Sequence, residues 1–335
     1  MSKNRSNLNF NFIEVCAGAG GLSMGFMNCG FIPLLLNDND KYCIETLKQN
    51  HPKCNIVKGS MTDIDYTMYK TIDIDVLMGG VPCQSFSQAG KRAGMADERG
   101  KLILHFIKMV DEIEPKVFLI ENVKGLKTHN GGKTLEFIIN KLNKLNKYKI
   151  TYKILNANDY SVPQNRERLI IIGINKNIDV EFEFPSPHQY KPILKDVLTN
   201  CPKSDGIEYK GEKYELMKLI PQGGCWINLP EELQKQYMGK SFYSGGGKRG
   251  ILKRLDMNKP CLTLLTSPSQ KQTERCHPIE TRPLQVLEYS RIQTFPDDYK
   301  FCGSVNQIYK QIGNAIPVKL AESLAESILK ILCKF

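Results

Sequence analysis

The sequence predicts an α/β fold built on a doubly wound, mostly parallel sheet, with a smaller second domain. Short apolar runs alternate with helix-like segments over the first half of the 335-residue chain. This alternation is typical of parallel sheets that are covered by helices on both faces. Glycine or polar clusters follow the apolar runs that end at Cys16, Leu36, Met78 and Ile120. Ligands of such sheets bind at the carboxyl ends of the strands, so we expect the functional site there.

The individual elements follow from the spacing of apolar and glycine residues. The predicted strands are 10–16, 32–36, 76–78, 117–120 and 169–174, and the predicted helices are 22–29, a segment through 48, 102–113 and 318–332. From about Pro185, proline and glycine become frequent and regular periodicity is lost, which predicts an irregular, β-rich second domain. We therefore expect a large domain at 10–184, a small domain at 185–305, and a C-terminal segment at 306–335 that returns to the large domain.

Composition narrows the class of protein. The formal net charge of +11 indicates either a lysine-rich surface or a polyanionic partner, because phosphate contacts need Lys and Arg. No apolar run reaches the roughly 20 residues of a membrane helix, and the polar start of the chain precedes no signal-like apolar core. We therefore expect a cytoplasmic protein. The 11 cysteines include no CxxC pair, which argues against a disulfide framework or a zinc site, so no metal is expected.

A glycine cluster, Gly18-Ala19-Gly20-Gly21, separates the first predicted strand from the first predicted helix. A strand, a glycine turn and a helix in this order can bind a nucleotide, and Asp38 after the second strand is placed to accept from ribose hydroxyls. Ser23 stands where the dinucleotide fingerprint needs its third glycine. The loop therefore suits an adenosine ligand without phosphates, such as S-adenosylmethionine. A purely structural turn is the alternative interpretation.

The third apolar run leads into Gly79-Gly80-Val81-Pro82-Cys83-Gln84-Ser85-Phe86-Ser87. A cysteine in a polar loop at the ligand-binding edge is a candidate thiolate nucleophile, although an arbitrary cysteine is more often a small buried residue. Four further blocks follow in order: Glu121-Asn122-Val123, Gln164-Asn165-Arg166-Glu167-Arg168, the segment 282–296, and Gln311-Ile312-Gly313-Asn314-Ala315. Together the five blocks resemble the cytosine-C5 DNA methyltransferases, of the bacterial type II restriction-modification kind, over residues 12–330.

The resemblance implies a Rossmann-like S-adenosylmethionine-dependent methyltransferase fold with a small target-recognition domain. It implies methylation of carbon 5 of a cytosine that is flipped out of a specific duplex DNA sequence. Cys83 would add to C6 of the cytosine and make C5 nucleophilic, which is covalent catalysis. Glu121 would hydrogen-bond N3 and the exocyclic amine, Arg168 would contact O2, and Arg166 would support the site electrostatically.

The resemblance also implies a set of ligand contacts for S-adenosylmethionine, whose product is S-adenosylhomocysteine, and for DNA. The expected cofactor-binding residues are Cys16, Ala19, Gly20, Gly21, Asp38, Asn39, Ser60, Met61, Pro82, Leu102, Asn314 and Ala315. The expected DNA-binding residues are Ser87, Lys91, Arg99, Lys248, Arg249, Thr263 and Leu264. Many members of the family have Phe, Glu and Asp where this chain has Cys16, Asp38 and Ser60. The contacts to adenine are therefore the least defined.

We expect the chain to act as a monomer on double-stranded DNA, with no membrane partner. A cognate restriction endonuclease would be encoded nearby without being a physical partner. Three other functions are less favoured. An RNA cytosine methyltransferase of the same fold would carry a Cys-Phe-Thr tripeptide, which is absent from this sequence. A relative that only binds DNA would not need Cys83, Glu121 and Arg168, and a nucleotide-dependent oxidoreductase would need glycine in place of Ser23.

Overall fold

The computed structural model describes residues 10–82, 98–243, 250–270 and 272–334, with the backbone alone for residues 98–101. The chain divides into two compact units. The first unit runs to Asn156, continues over Glu167–Pro187 and ends with the residues from Val318 onward. The second unit consists of Ala157–Arg166 and His188–Pro317.

A seven-stranded sheet forms the first unit. Its strands, numbered along the whole chain, are β1 (Asn11–Val15), β2 (Ile32–Asp38), β3 (Ile56–Lys58), β4 (Val76–Gly79), β5 (Val117–Val123), β6 (Tyr148–Asn156) and β8 (Glu167–Asn175). The order across the sheet is β3-β2-β1-β4-β5-β8-β6. Neighbours from β3 to β5 pair in parallel, whereas β8 is antiparallel to both β5 and β6. The expected doubly wound, mostly parallel sheet is thus confirmed.

Helices accompany this sheet. They are α1 (Gly21–Asn28), α2 (Lys41–Asn50), α3 (Glu98–Ile113), α4 (Lys133–Lys144) and α10 (Val318–Leu332). They comprise the predicted helices together with α4, which the sequence did not predict. All four residues of β4 and the first four of β5 are buried. Continuous apolar runs of this kind suit strands that are covered on both faces.

The last helix of the chain packs closely on the first. A Cβ atom added at Gly25 of α1 would lie 2.4 Å from Cβ of Ala321 in α10 and 2.7 Å from the backbone nitrogen of Glu322. Only glycine allows this approach without a shift of one helix. Asn28 Nδ2 also donates a hydrogen bond to Glu322 Oε1 at 2.6 Å.

The second unit is mainly helical in its described part. Its helices are α5 (Leu194–Leu198), α6 (Gly211–Leu219), α7 (Glu231–Met238), α8 (Val286–Ile292) and α9 (Val305–Asn314). Its strands have two residues each: β7 (Gln164–Asn165), β9 (Cys261–Leu262), β10 (Ser269–Gln270) and β11 (Thr273–Glu274). The irregularity was predicted, but the β-rich content is not found among the described residues. Apolar side chains gather instead into two clusters, one around Trp226 and one around Tyr289.

The boundaries of the units differ from the expected ones at three places. Residues 306–317, expected to return to the large domain, group with the second unit, as do residues 157–166, whereas residues 185–187 group with the first unit. The reason for the first difference lies in α9, where Tyr309 packs edge-on against Tyr289 of α8 with ring centroids 5.0 Å apart. The Tyr309 hydroxyl also donates to the Leu284 carbonyl oxygen at 2.7 Å.

Candidate active site

The glycine turn after β1 is joined directly to the carboxylate after β2. The Gly18 N–H donates to Asp38 Oδ2 at 2.8 Å, and the Asp40 N–H donates to Asp38 Oδ1 at 2.8 Å. Gly18 and Gly20 have φ angles of +57° and +83°, in the left-handed region that glycine tolerates best. Burial raises the pKa of Asp38, although these N–H groups act in the opposite direction. Asp38 is therefore a fixed acceptor beside the glycine turn.

Two sulfur-containing side chains lie at the same end of the sheet. Cys16 Sγ is 3.8 Å from Met61 Sδ, and both side chains pack on the apolar core of the first unit. Burial, together with the neighbouring Asp38 and Glu14 carboxyls, raises the pKa of the Cys16 thiol to about 12. Cys16 is therefore a neutral, polarizable thiol. The backbone carbonyl of Asp38 accepts from Gly59 at 3.0 Å, which places the segment of Ser60 and Met61 next to Asp38.

The loop after β4 is tied to the end of β5. Asn122 Nδ2 donates to the Val81 carbonyl oxygen at 2.8 Å, and both residues are buried. Pro82 follows Val81 and is exposed. Because β4 and β5 are parallel neighbours, Pro82 and Glu121 stand at the same edge of the sheet. Cys83, the next residue, lies outside the described ranges.

Glu121 and Arg168 form an ion pair at this edge. Arg168 Nε lies 2.9 Å from Glu121 Oε1, and each side chain is 12% exposed. Arg168 Nη1 is held by the Glu167 carbonyl oxygen at 2.8 Å. A Cβ atom added at Gly80 would lie 3.4 Å from Glu121 Oε2, so the loop after β4 passes close to the carboxylate. The pair offers a fixed acceptor and a fixed donor side by side.

Arg166 has different surroundings from Arg168. Its side chain is 1% exposed and belongs to the second unit. Its Nη1 donates to the Leu264 carbonyl oxygen at 3.0 Å, and its Nη2 donates to the carbonyl oxygens of Gly313 at 2.8 Å and Asn314 at 3.4 Å. Arg166 thus joins two expected ligand-binding segments, those of Leu264 and Asn314, and its expected electrostatic role stays a prediction.

Two buried glutamines that the sequence did not single out complete this network. Gln164 Nε2 donates to Gln293 Oε1 at 2.7 Å, and Gln293 Nε2 donates to the carbonyl oxygens of Ile312 and Ala315 at 2.7 and 2.9 Å. Gln164 Oε1 also accepts from the Leu264 N–H at 2.9 Å. In the sequence, each glutamine is one polar residue within an ordinary strand or helix pattern. Such a residue indicates a buried hydrogen-bond network only when its burial is known.

The remaining expected residues fall into three groups. Ala19, Gly20, Gly21 and Ala315 are buried, Leu102 is half-buried, and Asn39 and Asn314 are exposed. Thr263 Oγ1 donates to the Asn165 carbonyl oxygen at 2.7 Å, while the side chain of Leu264 is fully buried. Outside the described ranges lie Ser87, Lys91, Lys248, Arg249 and the side chain of Arg99.

Membrane-spanning helices and metal-binding clusters are both absent from the described ranges. None of the helices there is long and apolar enough to cross a membrane. The same ranges contain no group of three or more His, Cys, Asp or Glu side chains placed to hold a metal ion.

A glycine turn after β1, an acidic residue at the end of β2 and an ion pair between β5 and β8 are typical of a nucleotide-binding α/β enzyme. The family model described as C-5 cytosine-specific DNA methylase matches residues 10–330. The type II methyltransferase M.Sau96I of Staphylococcus aureus is 48% identical over 341 residues, covering 100% of this chain and 79% of that protein. The type II methyltransferase M.Eco47II of Escherichia coli is 45% identical, covering 98% and 81%.

A solved structure supports the same conclusion. It is described as a candidate DNA modification methyltransferase encoded within an Escherichia coli prophage, and it matches with a TM-score of 0.72 at 26% identity. The match covers 97% of this chain and 100% of that chain. The chain therefore belongs to the C-5 cytosine-specific DNA methylases and is a DNA cytosine-5 methyltransferase.

Proposed function

We propose that this enzyme transfers a methyl group from S-adenosylmethionine to carbon 5 of a cytosine that is flipped out of duplex DNA, through a covalent bond between Cys83 and C6. The observation that carries the proposal is the Glu121–Arg168 pair, with Nε and Oε1 2.9 Å apart. It stands at the sheet edge where Pro82 leads to Cys83. A nucleophile, an acceptor and a cation would thus meet around one base.

The chemistry explains why these three groups are needed together. Addition of the Cys83 thiolate to C6 breaks the C5–C6 double bond and makes C5 electron-rich, while negative charge spreads to N3 and O2. Glu121 supplies or stabilises the proton that N3 takes up and accepts a hydrogen bond from the exocyclic amine, and Arg168 stabilises the charge at O2. Once C5 carries the methyl group, a base, expected to be water, removes its proton. The Cys83 sulfur then leaves C6 and the double bond is restored.

The residues around Asp38 fit an adenosine ligand without phosphates. The Gly18 N–H, which a phosphate would need, is already bonded to Asp38. The Asp38 carboxylate accepts from two N–H groups in the hydrogen bonds described above, and a carboxylate has room for more donors, so it suits ribose hydroxyls. When bound there, S-adenosylmethionine supplies a methyl group on a positively charged sulfur. Cys16, Met61 and Ser60 would border the adenosine from the side of β3.

The remaining expectations belong to the same proposal. The curated relatives are named type II methyltransferases, which supports a role as the modification enzyme of a restriction-modification system. The cognate endonuclease would be encoded nearby and recognise the same sequence. We further propose that the enzyme is cytoplasmic and acts on DNA as a monomer, since one chain carries every residue invoked above.

The test combines two substrates. The protein and its Cys83→Ala variant are incubated with tritiated S-adenosylmethionine and mixed-sequence duplex DNA, and the label is recovered as 5-methylcytosine. We expect label from the wild type only. A second duplex carries 5-fluorocytosine, whose fluorine cannot leave as the C5 proton does, so the wild type should remain covalently attached on a denaturing gel and the variant should not.

The rival functions predict other results. Label in transfer RNA and none in DNA would mean that the substrate is RNA. DNA binding without label from either protein would mean a binding protein. Equal labelling by wild type and Cys83→Ala would exclude Cys83 as the nucleophile while leaving the family unchanged.

A further inference from the structure

The second unit contains a β-hairpin that is anchored on one face. Strands β10 and β11 pair antiparallel, with Ser269 opposite Glu274 and Gln270 opposite Thr273. The Glu274 side chain is fully buried. It forms an ion pair with Lys213 of α6 and accepts from the Tyr209 hydroxyl at 3.0 Å. Breaking a buried pair of this kind is costly, so the pair fixes the hairpin to the body of the unit.

Further contacts hold the hairpin at its ends. The Glu274 N–H donates to the Gly250 carbonyl oxygen at 2.9 Å. A Cβ atom added at Gly250 would lie 2.3 Å from the carbonyl oxygen of Gln272, so the two backbones are in close contact. Arg275, next in sequence, donates through Nε and Nη2 to the Thr263 carbonyl oxygen at 3.1 and 2.6 Å. These contacts attach the strands of the hairpin to the rest of the second unit.

The opposite face of the hairpin presents an amide to solvent. Successive side chains of a strand point to opposite faces, so Gln270 and Thr273 lie on the face away from Glu274. Gln270 is exposed, yet its amide is held at both ends. Its Nε2 donates to Thr266 Oγ1 at 3.3 Å, and its Oε1 accepts from Thr273 Oγ1 at 3.2 Å.

This arrangement leaves a defined hydrogen-bonding edge. A glutamine amide has two N–H donors and two acceptor lone pairs, and the two threonines use one of each. One donor and one acceptor therefore remain on the same planar amide group. Threonine hydroxyls both donate and accept, so the same edge remains if the amide nitrogen and oxygen are exchanged.

From this geometry we infer that Gln270 is a specificity-determining residue that reads a purine edge in the DNA site. The inference rests on the proposed function. The matching edge has an acceptor next to a donor, which adenine offers in the major groove as N7 and N6, and guanine offers in the minor groove as N3 and N2. A two-stranded ribbon fits the major groove. The two threonines hold the amide in place before binding, which lowers the entropic cost of the contact.

The test begins with the methylation site that bisulfite sequencing of the wild-type product gives. Duplexes with each base pair of that site exchanged in turn are then methylated by the wild type, by Gln270→Ala, and by the control Gln236→Ala. Gln236 is also an exposed glutamine of the second unit, on α7, bonded to Glu212 at 3.2 Å. Thermal melting checks that all three proteins are folded.

We expect Gln270→Ala to lower kcat/KM on the intact site by about 5- to 150-fold, as for other bidentate base contacts, and to lose discrimination at one base pair only. Gln236→Ala should behave as the wild type. Replacing adenine by 7-deazaadenine removes N7, and replacing guanine by inosine removes the 2-amino group. One of these analogues should impair the wild type and have no further effect on Gln270→Ala, which identifies the base and groove.

Two results would overturn the inference. The first is unchanged discrimination by Gln270→Ala at every base pair. The second is that each analogue lowers kcat/KM of Gln270→Ala by the same factor as it lowers kcat/KM of the wild type. Either result leaves the proposed function standing as long as the wild type labels DNA, whereas failure of the wild type to label DNA removes the proposed function itself.

Discussion

Glutamine in place of Glu121 removes the charge of the carboxylate and keeps its shape. The free energy of unfolding should fall, because Arg168 loses its partner at 2.9 Å while both side chains are 12% exposed. Breaking a fully buried pair costs about 3–5 kcal/mol and an exposed pair contributes about 0–1 kcal/mol, so we expect a loss of about 2 kcal/mol. At roughly 2–4 °C per kcal/mol for a unit of this size, Tm should fall by about 4–8 °C.

The effect on catalysis should be larger. A carboxylate that transfers or stabilises a proton contributes about 10²- to 10⁴-fold, and we expect kcat/KM for methyl transfer to fall by that factor. Glu167→Gln is the matched control, because Glu167 lies at the same edge but pairs with Lys124 in solvent, with side chains 45% and 56% exposed. It should keep its Tm and activity. A Glu121→Gln enzyme within tenfold of wild type, or a control that is equally impaired, would refute the role of Glu121.

Three other predictions concern packing and pH. Gly25→Ala gains about 1 kcal/mol of helix propensity, but the added methyl group overpacks the contact with α10, which costs about 1–3 kcal/mol. Tm should therefore fall. The control Gly125→Ala has nothing within 4 Å of the added Cβ, so its Tm should stay the same or rise. Gln293→Leu leaves two buried carbonyls without their donor, at about 1–3 kcal/mol each, and urea unfolding followed by the single Trp226 should show the loss. Burial raises the pKa of Glu14 from 4.5 to about 8, so the folded protein binds the extra proton and stability falls as pH rises between these values. The Glu14→Gln variant should lack this slope, and a slope equal to that of the wild type would contradict it.

The sheet and its functional edge were predictable because their signals are local. An apolar run followed by glycine or polar residues marks the carboxyl end of a buried strand, and this rule placed Asp38, Pro82 and Glu121 at one edge. The bounds of α10 were predicted as the structure has them. Strand β6, which pairs with β8, was not predicted. It carries the exposed residues Lys149 and Lys153, so its sequence has the pattern of neither a fully buried strand nor a helix.

The second unit shows where such signals end. Its strands have two residues each, too few for any alternation of polar and apolar side chains to be detected. The family resemblance implied roles for both Arg166 and Arg168 at one site. The structure interrupts the strand at Arg166, between β7 and β8, and Arg168 forms the ion pair with Glu121. This interruption of the strand depends on burial and on long-range hydrogen bonds, and neither can be inferred from the local order of polar and apolar residues.

The close approach of α1 and α10 has a consequence for how the enzyme is made. Residue 318 is synthesised after all of the second unit, yet α10 covers the helix that follows the first strand. Domains usually fold in order as the ribosome delivers them, but here the first unit lacks one of its helices until the whole second unit has been translated. Until then the Gly25 face of α1 is uncovered, so a nascent or prematurely terminated chain offers chaperones and proteases an incomplete first unit. Methylating activity should therefore arise late and all at once.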